Sequence, residues 1–397
     1  MIMLSQQQRI FFEFLRFCIG TVQEAPSSLK GADWRVLYAM ARKQCLVGVL
    51  FDGIKRLPAD VGMDKGLLFQ WMAQNQTLRK ANARLDKAAV EVAEWFGRKG
   101  FRTCVLKGQG NALLYPSGME RTPGDIDLWV DGGDRKVVSF VRSLSPDEKV
   151  CYHHIGFPEY NGVEVEVHFR PSFLFCFRHN RRLQGYYERV MDEQFAHRVK
   201  LGEQGEVAVP KAEFNLIFQL THIFTHLMNE GIGLRQLLDY FFVLKNTDFI
   251  GNTDKDGGNV DGDGFLLNTN CTDNTDRIGG NADGVDRRLL QDELRRLGLW
   301  KFAGAVMYIM KEVFGLEDNR LIVPPNEKYG KFVLNEVLEA GNFGQYDKRN
   351  WFGHSALGHN LQRLYRDMRL VRYFPEEALS EPFFRIWHFF WRKRIVR

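Results

Sequence analysis

The sequence predicts an α+β protein in which a small mixed β-sheet lies between an N-terminal and a C-terminal helical region. Up to about residue 99, apolar residues recur at spacings of three and four, the period of a helix that is buried on one face. Short strand patterns and glycine turns replace this period between about residues 100 and 200, and it returns after Pro210. We therefore expect three regions: 1–99, 100–200 and 201–397.

Composition places the chain among ordinary globular proteins. It has 397 residues, 45% hydrophobic and 26% charged, with a formal net charge of +5. No apolar run approaches the roughly 18 residues of a membrane span, and the N-terminus lacks the features of a secretory signal, so a cytoplasmic location is expected. The modest charge argues against a dedicated binder of long nucleic acid. The six cysteines have no spacing typical of a disulfide framework or a zinc site.

The N-terminal region is predicted to be helical throughout. Its apolar periodicity covers the stretches 11–20, 33–54 and 67–100. Gly100 is a plausible end for the last helix because glycine readily adopts the left-handed conformation that closes helices.

The central region alternates short strands and helices. Strands are expected at 102–108, 125–130, 150–157 and 163–169, with helices at 109–116 and 134–144. The last two strands are expected to form a hairpin, since Asn161 and Gly162 between them are typical of a tight turn.

The C-terminal region is predicted to be helical, with one interruption. Helical periodicity covers 212–230, 232–246 and 285–315. The segment 246–284 is rich in Asp, Asn, Gly and Thr, and such a composition cannot form a core. We interpret it as a flexible insertion between two helices.

Two aspartates carry the strongest chemical signal. Asp125 and Asp127 are two residues apart on a predicted strand, so their side chains project from the same face while Ile126 and Leu128 enter the core. Two such charges at about 4 Å repel by roughly 4 kcal/mol in a partly buried setting, and a divalent metal relieves this repulsion. The alternative is a surface strand whose polar face is simply hydrated.

Three neighbouring features favour the metal interpretation. Glu164, Glu166 and His168 share one face of the strand 163–169 and offer a third carboxylate. The turn at Gly108 presents backbone N–H groups and a helix N-terminus to an anion. Lys107 and Arg121 flank the acidic pair and are expected to meet phosphate oxygens. This combination is typical of metal-assisted nucleotidyl transfer, in which two Mg²⁺ ions orient the triphosphate.

The stretch from Val105 to Val130, VLKGQGNALLYPSGMERTPGDIDLWV, resembles the glycine-turn and DhDh signature of the DNA polymerase beta-like nucleotidyltransferase superfamily. Together with VEVHFR at 165–170 and GLRQLLD at 233–239, it resembles an uncharacterised bacterial branch of that superfamily. The resemblance covers most of the chain outside the insertion.

The resemblance implies specific roles. Asp125 and Asp127 match the metal-binding pair, and Glu166 falls on the third carboxylate, with Glu164 as an alternative on the same face. Mg²⁺ and an NTP donor such as ATP are the expected ligands, bound with the help of Lys107, Gly108, Gln109 and Arg121. Gln109 stands where the superfamily usually has serine or glycine, and Glu166 where it usually has aspartate. A non-catalytic binding module that acts through a protein partner is therefore the alternative function.

Further polar residues lie on the predicted C-terminal helices. Asn215, Gln219, His222 and His226 form a polar stripe on one helix, interpreted either as a cleft lining or as hydrogen-bonded core residues. Arg235 either pairs with Asp239, four residues along the next helix, or meets phosphate. HIFTH lacks the glutamate of a zinc protease motif.

The C-terminal helix, residues 381–397, combines aromatic and basic residues. We expect it to pack on its own domain, with peripheral membrane contact as the alternative.

Overall fold

The computed structural model describes residues 4–58, 62–250, 284–349 and 356–396. Within these ranges, the predicted α+β architecture is confirmed: helices flank a small mixed sheet.

Helices occupy most of the N-terminal region, as predicted. They are α1 (Gln6–Cys18), α2 (Trp34–Lys43), α3 (Val47–Ile54) and α4 (Lys65–Arg98). The stretch 33–54 forms two helices instead of one continuous helix. Between them Cys45 has φ 55°, a left-handed conformation through which an α-helix cannot continue.

The sheet contains four strands in the order β1-β2-β4-β3. They are β1 (Thr103–Leu106), β2 (Ile126–Val130), β3 (His154–Tyr160) and β4 (Val163–His168). β2 pairs with β4 in parallel, whereas β1–β2 and β3–β4 are antiparallel. The predicted hairpin turn is present, with φ 52° at Asn161 and 75° at Gly162.

The two faces of the sheet differ in polarity. Ile126, Leu128, Val165 and Val167 enter a buried apolar cluster with the second half of α4 and with the helix that follows β2, α6 (Gly133–Leu144). The opposite face carries Asp127, Glu166 and His168, because alternate residues of a strand point to opposite sides. Burial of the apolar face therefore determines which way the acidic residues project.

Three helices and one strand pair complete the central region. α5 (Gly108–Ala112) follows β1, α6 (Gly133–Leu144) follows β2, and α7 (Phe177–Ala196) follows β4. A small antiparallel pair, β5 (Arg198–Lys200) and β6 (Glu206–Ala208), comes before the C-terminal helices. The sequence patterns had not indicated α7, β5 or β6.

The N-terminal and C-terminal helical regions share one core. The remaining elements are α8 (Ala212–Asn229), α9 (Leu234–Lys245), β7 (Phe249–Ile250), β8 (Val285–Asp286), α10 (Arg287–Arg296), α11 (Trp300–Glu312), α12 (Glu327–Ala340), α13 (Ala356–Leu370) and α14 (Pro375–Ile395). Phe11 and Phe14 of α1 belong to the same buried cluster as Phe218 of α8, Leu237 of α9 and Phe302 of α11. This shared core fixes the helices that face the polar side of the sheet.

The predicted insertion at 246–284 lies mostly outside the described residues. Its two ends are described, and they pair: β7 and β8 form a short parallel ladder with Phe249 opposite Val285 and Ile250 opposite Asp286. The chain therefore leaves and re-enters the fold at adjacent positions.

The C-terminal helix α14 packs on its own protein through part of its aromatic surface, as expected. The ring of Phe384 lies 5.1 Å from that of Tyr152 and 5.3 Å from that of Phe173, centroid to centroid. Phe383 and Phe390 on the outer side are 67% and 61% exposed. Among the described residues, no helix combines the length and apolar character needed to cross a membrane.

Candidate active site

A cleft of about 710 Å³ lies between the polar face of the sheet and the helices of the C-terminal region. Asp125, Asp127 and Glu166 line it on the sheet side, and His222 and Arg235 line it from α8 and α9. The cleft is large enough for a bound small molecule.

Strand register brings two of the acidic residues together. Asp127 on β2 and Glu166 on β4 are directly paired in the parallel ladder, and Asp125 comes immediately before β2. Glu164, the alternative third carboxylate, is exposed and is not among the residues that line the cleft. The geometry thus gathers Asp125, Asp127 and Glu166 at one end of the cleft.

The turn between β1 and α5 holds Lys107 in a strained conformation. Lys107 has φ 50° and ψ −135°, and a non-glycine residue in such a region costs on the order of 1–3 kcal/mol. Its Nζ lies 2.9 Å from Oδ1 of Asp127 and 3.1 Å from Nε2 of His222. The turn therefore places an ammonium group against the acidic cluster, where the sequence predicted a phosphate contact.

His168 is the second cation of the cluster. It is 1% exposed, and its Nε2 lies 2.9 Å from Oδ1 of Asp127 and 3.5 Å from Oε2 of Glu166. Nδ1 lies 3.3 Å from the backbone oxygen of Arg170, so both ring nitrogens face acceptors. Burial lowers its pKa, but the hydrogen bonds to Asp127 and Glu166 outweigh burial and raise the pKa to about 9.

The two aspartates have opposite pKa shifts. The charge of Asp127, aided by burial, raises the pKa of Asp125 to about 6. Burial also opposes ionisation of Asp127, but Lys107 and His168 outweigh it and lower the pKa of that carboxyl. One aspartate is thus held ionised, while the other titrates close to neutrality.

These observations fit a divalent metal. Carboxylate oxygens are the ligands that Mg²⁺ prefers, and the raised pKa of Asp125 shows that the cluster carries repulsion which an added cation would relieve. Lys107 and His168 already place positive charge beside Asp127. Asp127 and Glu166 offer ligand atoms within 4.8 Å of one another. With Asp125 beside them in the cleft, these carboxylates fit a Mg²⁺ site.

Two further histidines adjoin the cluster. Nδ1 of His154 lies 3.3 Å from Oε2 of Glu166 and 3.1 Å from Nε2 of His153. Burial lowers the pKa of His154 to about 4 and that of His153 well below its usual value. Both residues are therefore neutral at pH 7. Sequence reasoning missed them; the only signal was the dipeptide HH at the start of a predicted strand.

Arg121 and Gln109 are placed differently from the expectation of phosphate contacts. Nε and Nη2 of Arg121 each lie 2.8 Å from a carboxylate oxygen of Asp239, and Arg121 is 3% exposed. Tyr115 donates to the same carboxylate at 2.6 Å. The Gln109 side chain donates to Asp86 and is not among the residues that line the cleft. Both side chains are engaged in internal contacts.

Arg235 lies in the cleft without an acidic partner. Among the described residues no carboxylate lies within ion-pair distance of it, and its Nε has no hydrogen-bond partner. The predicted Arg235–Asp239 pair is absent because Asp239 binds Arg121. A Cβ at Gly124, next to Asp125, would lie 3.6 Å from Nη1 of Arg235. Arg235 donates to the backbone oxygen of Thr122 at 3.4 Å and therefore presents, close to the acidic cluster, a cation that no described carboxylate neutralises.

The polar stripe of α8 serves both of the roles considered for it. The amide groups of Asn215 and Gln219 donate to Oδ1 of Asn111 at 3.2 and 3.0 Å, which is a core network that anchors α5. His222 and His226 line the cleft.

Comparisons with known proteins place the chain in a family. A solved structure of an antigenic nucleotidyltransferase-like protein from Paracoccidioides brasiliensis is similar over 43% of this chain and 77% of its own, at 15% identity and a TM-score of 0.28. A search of curated proteins finds no match. The family model described as uncharacterised nucleotidyltransferase matches residues 30–254, which is more than half of the chain. The chain therefore belongs to this family of uncharacterised nucleotidyltransferases.

Proposed function

We propose that the protein is a metal-dependent nucleotidyltransferase of the polymerase beta-like type, which moves a nucleoside monophosphate from an NTP to an acceptor hydroxyl. The observation that carries this proposal is the pairing of Asp127 with Glu166 across β2 and β4, with Asp125 beside them in one cleft. The family assignment supports the same chemistry.

Asp125, Asp127 and Glu166 would hold the metal. When bound there, Mg²⁺ neutralises developing charge on the phosphate oxygens and lowers the pKa of the attacking hydroxyl. Lys107, whose Nζ now contacts Asp127, would be released by a metal at that carboxylate. Its Nζ would then be able to reach phosphate oxygens from the same turn.

The phosphates of the donor lie between the Gly108 turn and Arg235. The backbone N–H groups that follow Gly108 favour an anion, although α5, with five residues, adds little as a helix dipole. Arg235 supplies a planar guanidinium with no competing carboxylate among the described residues. These groups orient the triphosphate so that its α-phosphorus faces the acceptor.

In the transfer step, the acceptor oxygen forms a bond to the α-phosphorus of the NTP. The bond between that phosphorus and the oxygen bridging to the β-phosphate breaks, and pyrophosphate leaves with the electron pair. The proton of the acceptor hydroxyl passes to a carboxylate of the cluster. Asp125 is suited to accept it because Lys107 and His168 contact Asp127 instead.

Replacement of Asp127 with Asn tests this function. We expect turnover, measured as pyrophosphate release, to disappear and Mg²⁺-dependent NTP binding, measured by calorimetry, to weaken, while the far-UV circular dichroism spectrum stays the same. Glu164→Gln is the matched control on exposed β4 surface and should retain both properties. Unchanged turnover in Asp127→Asn would remove the proposal.

The acceptor belongs to one of three classes: a small molecule, a tRNA end or a protein side chain. Incubating the full-length protein with labelled NTPs and cell extract, then identifying the labelled product, will assign the class. Absence of any NTP binding with Mg²⁺ would instead favour the non-catalytic module.

A further inference from the structure

The cleft contains a second set of potential metal ligands with a different chemistry. Imidazole nitrogens of His153, His154 and His168 approach one another within 4.8 Å, and His168 is also within this distance of the oxygens of Asp127 and Glu166. All three histidines line the cleft. An oxygen-rich ligand set and a nitrogen-rich ligand set therefore meet at His168, and Glu166 lies beside His154 as well.

The sheet positions these imidazoles. His154 on β3 is the direct antiparallel partner of His168 on β4, and His168 lies two residues beyond Glu166 on the same face. The backbone oxygen of His153 accepts hydrogen bonds from the N–H groups of Phe169 and Arg170 at 3.0 and 3.1 Å. Regular strand pairing, and not a mobile loop, thus holds the group together.

The spacing of the ligand atoms matches a metal polyhedron. Nε2 of His153 lies 3.1 Å from Nδ1 of His154. Oε2 of Glu166 lies 3.3 Å from Nδ1 of His154 and 3.5 Å from Nε2 of His168. Bonds of about 2.0–2.1 Å in a tetrahedral zinc site imply ligand-to-ligand distances of about 3.3 Å. Small side-chain movements, with loss of the His168 Nε2 proton and of its contact with Asp127, would bring the four atoms around one ion.

From this geometry we infer that His153, His154, His168 and Glu166 bind an imidazole-preferring divalent cation of the Zn²⁺ class. Three nitrogens and one carboxylate favour Zn²⁺ over Mg²⁺, which prefers oxygen ligands. The buried Nδ1 of His153 has no hydrogen-bond partner. The other ring nitrogen, Nε2, is the one that faces His154 and would bind the metal. This site goes beyond the proposed function, which uses only oxygen-bound Mg²⁺, and Glu166 is common to both sites.

The described residues offer one competing cluster outside this cleft end. Cys176, His179 and Glu377 also bring ligand atoms within 4.8 Å. Glu377, however, accepts from the N–H groups of Phe175 and Cys176 and lies 3.1 Å from Nδ1 of His179. Its oxygens already have partners, so this cluster has a structural role at the start of α7.

Metal titration of the full-length protein without nucleotide tests the inference. We expect one Zn²⁺ per chain, and Co²⁺ substitution should give visible absorption bands without the near-ultraviolet band of a cobalt–thiolate bond. The double variant His153→Gln/His154→Gln should weaken Zn²⁺ binding at least about 100-fold. His197→Gln is the control, since that histidine lies outside both clusters and bonds to the backbone oxygen of Val209.

Three outcomes would overturn the inference: no stoichiometric Zn²⁺, unchanged affinity in the double variant, or loss of binding in Cys176→Ser. Circular dichroism of each variant excludes unfolding as the cause. Because no nucleotide is present, the result is separate from that for Asp127→Asn, and either proposal can fail alone.

Discussion

The charged side chains on the two sides of the cleft differ in whether they have oppositely charged partners within the protein. On the sheet side, Asp127 lies within 2.9 Å of both Lys107 and His168, so its charge is compensated internally. On the helical and loop side, Arg235, Lys149 and Arg392 line the same cleft and, among the described residues, have no carboxylate within ion-pair distance.

This difference in charge compensation indicates which kind of ligand each side of the cleft would bind. Lys107 and His168 stabilise the carboxylate cluster, and under the proposed function a metal would replace their charge. Uncompensated cations repel one another and gain energy from a bound anion. This contrast supports the proposal of a ligand that carries both metal and negative charge, as a nucleotide with Mg²⁺ does.

The largest effect on activity is expected on the sheet side of the cleft, at Glu166. Glu166→Gln should lower nucleotidyl transfer by about 10³-fold or more, because it removes several kcal/mol of metal-mediated stabilisation. Single-turnover kinetics with saturating NTP will measure it. Glu164→Gln, two residues away and exposed, should stay within about twofold of the wild type; equal losses in both variants would contradict the assignment of Glu166.

Replacement of Arg121 tests whether this arginine stabilises the fold through Asp239 or binds the phosphates of the NTP. Arg121→Gln leaves Asp239 buried without its partner, so we expect the free energy of unfolding to fall by about 3–5 kcal/mol. Urea denaturation will measure the change. Arg102→Gln breaks an exposed pair with Asp131 and should cost about 1 kcal/mol or less. A stable Arg121→Gln protein with impaired NTP binding would instead return Arg121 to the phosphate site.

Arg235 should behave in the reverse manner. Arg235→Gln breaks no ion pair, so stability should change little, whereas the KM for NTP should rise about tenfold, equivalent to about 1.4 kcal/mol. Steady-state kinetics at low and high salt will measure this rise, which should shrink as salt screens the wild-type protein. Arg198→Gln, on β5, is the control. An unchanged KM would show that Arg235 does not meet the donor.

The smallest effect concerns the carboxyl pair Asp367 and Glu381, which lies next to arginines that line the cleft. Burial and the adjacent Glu381 raise the pKa of Asp367 to about 8, while Arg385 lies 3.2 Å and Arg363 3.8 Å from Glu381. Because the folded protein holds this proton more tightly than the unfolded chain, stability is lost as pH rises from about 4 to 8.

Asp367→Asn removes this loss. At pH 8.5 the variant should be more stable than the wild type by about 1–2 kcal/mol, allowing for solvent screening, and the difference should vanish near pH 4. Urea denaturation across this range will measure it. A pH-independent difference would show that Asp367 does not titrate in this way.

The sequence predicted those parts of the site that follow from strand alternation. The apolar residues Ile126 and Leu128 force Asp127 to the opposite face, and the three valines of β4 do the same for Glu166, so local periodicity was sufficient. Alternation within β4 places Glu164 and Glu166 on the same face and cannot choose between them. The register between β2 and β4 makes that choice, because it pairs Glu166 with Asp127.

Other features depend on contacts between residues distant in sequence. Sequence spacing offered Asp239 only Arg235 as a partner, and the packing of α9 against the segment before β2 brings Arg121 to it instead. The imidazole group depends on the register between β3 and β4, which places His154 opposite His168. Periodicity within a segment carries no information about such pairings.

The short β7–β8 ladder has a practical consequence for engineering. Because β7 and β8 run parallel, the connection must return from the end of one strand to the start of the next and needs about a dozen residues. The entropy of closing a loop grows only slowly with its length. The stretch between the two strands is therefore a natural position for a shortened linker or an inserted fluorescent reporter. Either change leaves α9 and α10 anchored by the same ladder, so NTP turnover should survive it.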